Sequence, residues 1–173
     1  MWGGAKLFIY LLIVAFFSFF SPAWAIESNG YPADVVAVKD GDTIVVKRDD
    51  NLETIRLSGI ACPKHDQRFG AEVVKATASL CLGQTVVVES QSLDRDGRKI
   101  ANVLLMNGAS LSSQLISIGF AWCPTNDLSL ESLEANAREE HLGLWGRSDF
   151  VPPGDLPHGR NTIGRVLPPT RAN

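Results

Sequence analysis

Residues 34–60, with the sequence DVVAVKDGDTIVVKRDDNLETIRLSGI, contain three strand patterns separated by two turns. The segments at 34–39 and 43–47 are rich in valine and are divided by the turn-forming triplet Asp-Gly-Asp. The segment at 53–60 alternates polar and apolar residues, as a half-buried strand does. Pro63 then fixes one backbone dihedral and offers no N–H, which predicts a tight turn directly after the third strand. Such a turn is a place where functional side chains are often displayed.

The rest of the chain continues this mixture of short elements. Valine-rich patterns predict two more strands, and apolar residues at helical intervals predict three helices. These five elements lie, in chain order, at residues 69–80, 85–90, 100–106, 111–118 and 130–141. Five strands with a helix between the third and fourth favour an α+β, mainly β fold, and the five-stranded OB-fold barrel fits that count.

Both ends of the chain have compositions that differ from the predicted domain at residues 30–150. Residues 1–25 contain Lys6, an apolar run and a small-residue site, which together predict a signal peptide cleaved after Ala25. An uncleaved membrane anchor is the alternative, but the apolar run is shorter than the ~20 residues of a usual spanning helix. We therefore expect a secreted or periplasmic protein with no stable membrane span. Residues 151–173 contain five of the nine prolines and predict a disordered tail.

The charge balance argues against strong nonspecific nucleic-acid binding. The chain has 16 basic and 19 acidic side chains, and Lys6 is the only charge of the leader, so 15 basic and 19 acidic side chains remain in the mature protein. Proteins that grip nucleic acid nonspecifically are usually basic. Of the three cysteines, Cys81 lies among apolar residues and is expected to be a buried thiol. Cys62 and Cys123 are then the expected disulfide of an oxidising compartment.

Two loops and one strand carry candidate functional residues. Asp40 and Asp42 flank a glycine, and two carboxylates so spaced can share a hard cation such as Ca²⁺. Arg98 ends the loop LDRDGR, and Arg56 is a charged residue within a predicted strand. Taken singly, an Asp-Gly-Asp or a DRDGR loop is more often an ordinary solvated turn.

In combination, the motifs DGDT, IRLSGI-x-CP, FGAEV, DRDGR and a final GLW resemble the staphylococcal nuclease-like (thermonuclease) family over residues 35–145. The resemblance implies a five-stranded barrel with three helices and the activity of an extracellular, Ca²⁺-dependent phosphodiesterase that cuts DNA and RNA. Arg56 and Arg98 match the two arginines that hold the scissile phosphate, a task for which the forked guanidinium is well suited. Asp42 matches a Ca²⁺ ligand, with Asp40 alongside.

The turn after the third strand departs from the family pattern. Where the family usually reads G-I-D-x-P-E, this chain reads GIACPK. Ala61 stands at the position of a metal-binding aspartate, so Ca²⁺ binding is possible but weakened. Lys64 stands at the position of the general base, and a protonated lysine cannot accept a proton from water, a loss that typically costs ~10²–10⁴-fold in rate. His65 or Asp66 is an alternative base, although solvent-facing loop residues are the simpler interpretation.

These departures favour a nuclease-like protein with a degraded catalytic site, a pseudoenzyme that binds an anionic ligand such as a nucleic acid, a nucleotide or an acidic polysaccharide. The chain is also similar to secreted nuclease-like proteins linked to bacterial exopolysaccharide (succinoglycan) production. The alternatives are an active Ca²⁺-dependent nuclease and a structural protein of the cell envelope. Trp122 is either a core residue or a stacking platform, in a region where many family members have tyrosines.

Overall fold

A computed structural model of the protein describes residues 30–152, so the predicted signal peptide and nearly all of the predicted tail lie outside the described residues. The strands are β1 (Tyr31–Asp40), β2 (Thr43–Arg48), β3 (Asn51–Leu57), β4 (Thr85–Leu93) and β5 (Lys99–Leu104). The helices are α1 (Gly70–Cys81), α2 (Leu111–Ser117) and α3 (Leu128–Glu139), followed by a 3-10 turn at Gly143–Gly146. Between residues 30 and 152, no helix has the length and apolarity needed to cross a bilayer.

The five strands close into a barrel in the order β1-β2-β3-β5-β4. Strands β3 and β5 pair in parallel, with Arg56 beside Ile100, and the other four pairings are antiparallel. Closure removes the open sheet edges that would otherwise need protection. The predicted five-stranded barrel with three helices is confirmed.

The main core fills the barrel and extends to the helices that cover it. Alternate residues of each strand point inward, so period-2 apolar patterns bury one face. The fully buried side chains of this core include, from the strands and from α2, Ile44, Val46, Ile55, Leu57, Val86, Val88, Val103, Leu111, Leu115 and Ile116. A barrel packed in this way is a rigid support for side chains on its outer face.

A second, smaller cluster lies outside the barrel. Its buried members are Cys62, Val73 and Leu144. Aromatic rings, including Phe69, Trp122 and Phe150, pack against them. We call the rings of Phe69, Trp122, Trp145 and Phe150 the aromatic cluster. The centroid of the Phe150 ring lies 6.0 Å from that of Phe69, 6.0 Å from that of Trp122 and 5.3 Å from that of Trp145. The aromatic cluster joins the start of α1 to the end of the described chain.

The predicted disulfide between Cys62 and Cys123 is wrong, because all three cysteines are free thiols. The two thiols belong to different packing environments: Cys62 lies in the second cluster, whereas Cys123 packs against the main core and its thiol donates to the Thr125 carbonyl at 3.1 Å. Cys81 is fully buried, as expected, and burial raises the pKa of its thiol to about 11.

Candidate functional site

The centre of the candidate site is the carboxylate of Asp42, in the turn between β1 and β2. Its side chain is only 1% exposed. The hydroxyl of Thr43 donates to Oδ1 at 2.8 Å, and the Leu57 N–H donates to the Asp42 carbonyl at 2.8 Å. A buried carboxylate is costly unless it is paired and hydrogen-bonded. The partners of Asp42 therefore determine what the site can do.

Close packing around Gly41 fixes the position of this turn. A Cβ added at Gly41 would lie 2.3 Å from Val73 Cγ1 and 2.8 Å from Cys62 Sγ. The Thr77 hydroxyl of α1 also donates to the Gly41 carbonyl at 2.9 Å. The DGDT turn is thus pressed onto α1, and the glycine is required by the absence of space for any side chain.

Arg56 reaches Asp42 from the neighbouring strand. The register of β2 and β3 pairs Thr43 with Arg56, which brings the guanidinium Nη2 to 3.1 Å from Asp42 Oδ2. About a quarter of the Arg56 side chain remains exposed, at 27%. A guanidinium has five N–H donors, so Arg56 can hold Asp42 and still present donors to a ligand.

Lys64 reaches the same carboxylate from the turn after β3. Its Nζ lies 3.2 Å from Asp42 Oδ1 and 3.3 Å from Oδ2, and 3.8 Å from Asp40 Oδ2. The backbone of the turn is also held in place, because the Lys64 N–H donates to Gln67 Oε1 at 2.8 Å and the Gln67 N–H donates to the Lys64 carbonyl at 2.9 Å. The Lys64 ammonium group therefore contacts the carboxylate of Asp42 directly.

Arg98 lies directly before β5 and is held by the aspartates of its own loop. Its Nε donates to Asp94 Oδ2 at 2.6 Å, and its Nη2 donates to Asp96 Oδ2 at 2.8 Å. The hydrogen bond to Asp94 raises the pKa of the Arg98 guanidinium, and the negative charges of Asp94, Asp96 and Asp42 contribute to the same shift. Arg98 is thus close enough to experience the charge of Asp42. Among the described residues, however, the salt bridges of Asp42 go to Arg56 and Lys64, and those of Arg98 go to Asp94 and Asp96.

The other predicted candidates have peripheral positions. His65 and Asp66 are exposed, and the backbone N–H of His65 donates to Asp40 Oδ1 at 2.9 Å. Trp122 forms an isolated antiparallel bridge with Ala61 through two backbone hydrogen bonds of 2.9 Å. Its ring is a packing partner in the aromatic cluster. Asp40 therefore helps to hold the turn, and Trp122 ties the turn to the segment between α2 and α3.

The residues around Asp42 do not fit a Ca²⁺ ion. Ca²⁺ takes six to eight oxygen ligands, mainly carboxylates and carbonyls. Here both carboxylate oxygens of Asp42 contact the Lys64 ammonium, Asp40 is engaged with the same ammonium and with the His65 N–H, and Ala61 offers only a methyl group. Within residues 30–152, no group of three or more acidic, histidine or cysteine side chains is suited to hold a metal ion.

Two supporting residues were missed in the sequence. Thr43 orients Asp42 through its hydroxyl, and the signal for it was the threonine that directly follows the Asp-Gly-Asp turn. Gln67 closes the turn that carries Lys64. Nothing in the local pattern marked Gln67, because its role depends on the fold of the turn.

A closed five-stranded barrel that carries a buried aspartate paired with an arginine defines a nuclease-like OB-fold protein. Residues 54–147 match the family described as staphylococcal nuclease homologue, and the chain belongs to that family. It is 33% identical over 134 residues to an uncharacterized endonuclease of Escherichia coli O157:H7, covering 76% of this chain and 88% of that protein. It is 32% identical over 138 residues to a micrococcal nuclease of Shigella flexneri, covering 72% and 76% of the two chains.

Proposed function

We propose that the protein binds a phosphodiester anion, with single-stranded nucleic acid as the first candidate, and that it does not hydrolyse this ligand by the Ca²⁺-dependent route of its family. The contact between Lys64 Nζ and Asp42 supports this proposal most directly. It puts an ammonium group where the family pattern requires a carboxylate base. The ligand-holding arginines, Arg56 and Arg98, remain.

The proposed loss of hydrolysis follows from the lack of a proton acceptor at position 64. A general base must accept a proton from the attacking water. A lysine ammonium has no lone pair to offer, and the Lys64 ammonium lies 3.2 Å from the buried Asp42 carboxylate. The two neighbouring alternatives, His65 and Asp66, are exposed, whereas Asp42 is buried, which favours solvent-facing loop residues over a replacement base.

The proposed binding role rests on the two arginines. Guanidinium groups recognise phosphate oxygens through paired N–H donors, which lysine cannot provide. Arg56 is fixed by Asp42 and Arg98 by Asp94 and Asp96, so both are held in place before a ligand arrives. Because each cation already has a carboxylate partner, the site is preorganised but not strongly positive. We therefore expect selective, moderate binding and a weak dependence on salt.

The first experiment measures cleavage of single-stranded DNA by the mature domain with and without Ca²⁺. Wild type is expected to be inactive, whereas a variant with Ala61→Asp and Lys64→Glu, which restores the family's turn, is expected to cut with Ca²⁺. Wild-type cleavage at a rate within about tenfold of this variant would contradict the proposal, because loss of a base costs ~10²–10⁴-fold.

The second experiment measures binding of a fluorescent single-stranded oligonucleotide by anisotropy. Arg98→Ala is expected to weaken binding about tenfold or more, since a charge-assisted hydrogen bond contributes about 1.5–3 kcal/mol. Lys47→Ala is the matched control, because Lys47 is a half-exposed cation on β2 whose ion-pair partner among the described residues is the exposed Asp50. Equal affinities for wild type and Arg98→Ala would exclude this site as the binding surface.

An active nuclease is the second candidate, and the names of the relatives favour it. Both relatives above are named as nucleases, and this chain retains Asp42, Arg56 and Arg98. The cleavage experiment separates the two candidates directly.

We also propose that the protein acts outside the cytoplasm, on the strength of the leader sequence at residues 1–25. An acidic exopolysaccharide such as succinoglycan then becomes the competing ligand to test. In the anisotropy experiment, displacement of the oligonucleotide by this polysaccharide would support that ligand class, and the absence of competition would exclude it at this site.

A further inference from the structure

We propose that Lys64 is a built-in cation that replaces the divalent metal ion at Asp42. The ammonium group would then offset the charge of Asp42 in place of a metal ion, and ligand binding would need no metal. This inference concerns the cation alone and does not require that the ligand be nucleic acid.

The geometry of the contact supports this role. Nζ lies within 3.3 Å of both oxygens of Asp42, so it bridges the carboxylate in the manner of a bound cation. It also lies 3.8 Å from Asp40, so one ammonium approaches both carboxylates of the DGDT motif. Asp42 is 1% exposed and cannot obtain compensation from water. Its negative charge is balanced from within the chain by Lys64 and Arg56.

The backbone holds the ammonium in position. Pro63 before it is buried, and Gln67 makes hydrogen bonds to both the N–H and the carbonyl of Lys64. Behind the turn, Gly70 packs so tightly that an added Cβ would lie 1.8 Å from the Lys64 carbonyl oxygen. The His65 N–H fixes the next residue to Asp40. The turn therefore presents Lys64 from a defined position, which limits the entropy lost on pairing.

The ammonium also excludes a metal ion by charge. A Ca²⁺ ion needs ligand oxygens at about 2.3–2.6 Å, and the Lys64 ammonium already contacts both oxygens of Asp42 at 3.2–3.3 Å. Two positive centres so close together repel each other. Restoring the missing carboxylate at position 61 should therefore not restore calcium binding while Lys64 remains.

The test is calcium binding by titration calorimetry and by the melting temperature, with CaCl₂ at about 10 mM, above the ~10⁻⁴–10⁻³ M dissociation constants of extracellular calcium modules. Wild type and Ala61→Asp are both expected to show no binding heat and no rise in melting temperature. The double variant with Ala61→Asp and Lys64→Glu is expected to bind calcium and to melt at a higher temperature with it.

Lys64→Gln tests the same idea without calcium. Removing the ammonium leaves Asp42 with Arg56 as its remaining salt-bridge partner among the described residues, so the melting temperature should fall by about 2–6 °C. Lys47→Gln is the control, because Lys47 is about as exposed as Lys64 but pairs at 3.8 Å with a fully exposed Asp50. Its melting temperature should stay within about 1 °C of wild type.

Three outcomes would overturn the proposal. They are calcium binding by wild type, calcium binding by Ala61→Asp alone, and a melting temperature of Lys64→Gln equal to that of wild type. The wild-type calcium titration needs no variant, so the proposal remains testable if a variant fails to fold. A separate arm measures oligonucleotide binding with and without the chelator EGTA. Binding lost in EGTA would overturn the built-in cation, whereas no binding under either condition would overturn only the proposed ligand.

Discussion

At the scale of single residues, the site depends on how closely Gly70 approaches Lys64. Gly70 is the first residue of α1, and there is no room for a Cβ beside the Lys64 carbonyl. This contact is with backbone, which cannot rotate away as a flexible side chain can. Gly70 therefore fixes how closely α1 approaches the turn that carries Lys64.

Gly70→Ala is expected to destabilise the protein by about 1–3 kcal/mol, because overpacking forces a backbone shift. Urea denaturation monitored by tryptophan fluorescence measures this change. Ser79→Ala, on the exposed side of the same helix, is the control and should stay within about 0.5 kcal/mol of wild type. A Gly70→Ala variant as stable as the control would show that the turn can move without cost.

The sequence predicted which residues at this site differ from the family, but not where their side chains go. Lys64 was recognised by its position in GIACPK, and Arg56 and Arg98 were recognised by their motifs. The contact between Lys64 and Asp42 joins residues 22 positions apart and depends on the pairing of β2 with β3 and on the turn that follows, so no periodic pattern encodes it. The disulfide prediction failed for a related reason, since it relied on cysteine count and not on which cluster each thiol joins.

At the scale of elements, a polar network at one end of the barrel connects β1, β3 and β5. The Tyr31 hydroxyl donates to Glu53, and Lys99 Nζ donates to the same carboxylate at 2.7 Å. The guanidinium of Arg48 lies 4.4 Å from the centroid of the Tyr31 ring. Three strands that are distant in sequence are thus joined by one carboxylate.

The pKa shifts in this network predict the pH dependence of stability. Hydrogen bonds from Lys99 and Tyr31 lower the pKa of Glu53 below 4.5, so its contribution is present above that pH and is lost as the pH falls through the lowered value. The hydrogen bond to Glu53 raises the pKa of Lys99 above 10.5, and burial raises that of Tyr31 above 10. The stability that these two groups contribute is present below those values and is lost at higher pH.

We therefore expect the urea midpoint to be highest between about pH 5 and 10 and to fall on both sides. Glu53→Gln should make the urea midpoint depend less on pH, both on the acid side and on the alkaline side. The reason is that it removes the negative charge with which Lys99 and Tyr31 interact. Lys47→Gln, at a surface pair away from the network, should leave the profile unchanged. An identical acid limb in wild type and Glu53→Gln would rule out this assignment.

At the scale of the whole molecule, the aromatic cluster connects the start of α1 to the end of the described chain. Phe150 contacts three aromatic rings, and it lies beyond residue 147, where the family match ends. An ion pair between Arg68 and Asp149 lies beside it. The segment at the end of the described chain thus packs against the residues that follow the Lys64 turn.

Phe150→Ala is expected to cost about 1–3 kcal/mol, since each aromatic pair contributes about 0.5–1.5 kcal/mol beyond its buried area. Asp149→Asn is the matched neighbouring change and should cost no more than about 1 kcal/mol, because exposed ion pairs contribute little. Chemical denaturation of the two variants separates packing from charge. A larger loss for Asp149→Asn than for Phe150→Ala would contradict this account of the cluster.

Most of the barrel and helices were predictable, because alternation and helical spacing are local properties of the sequence. The aromatic cluster was not. Phe69 was expected in the apolar stripe of the first helix, but it lies just before α1 with a positive φ of 67°, and its ring packs on Phe150. The Ala61–Trp122 bridge was likewise invisible, because a single pair of backbone hydrogen bonds between distant segments leaves no periodic signal.

The parallel pairing of β3 with β5 has a consequence for the order of folding. Strands β1 to β3 are joined by short turns and can form from local contacts, whereas β5 reaches β3 only after α1 and β4 have been placed. Contacts between residues distant in sequence are slow to form, because the intervening loop must first be closed. Arg56 and Asp42 should therefore meet early, and Arg98 should join them only in the last steps of assembly.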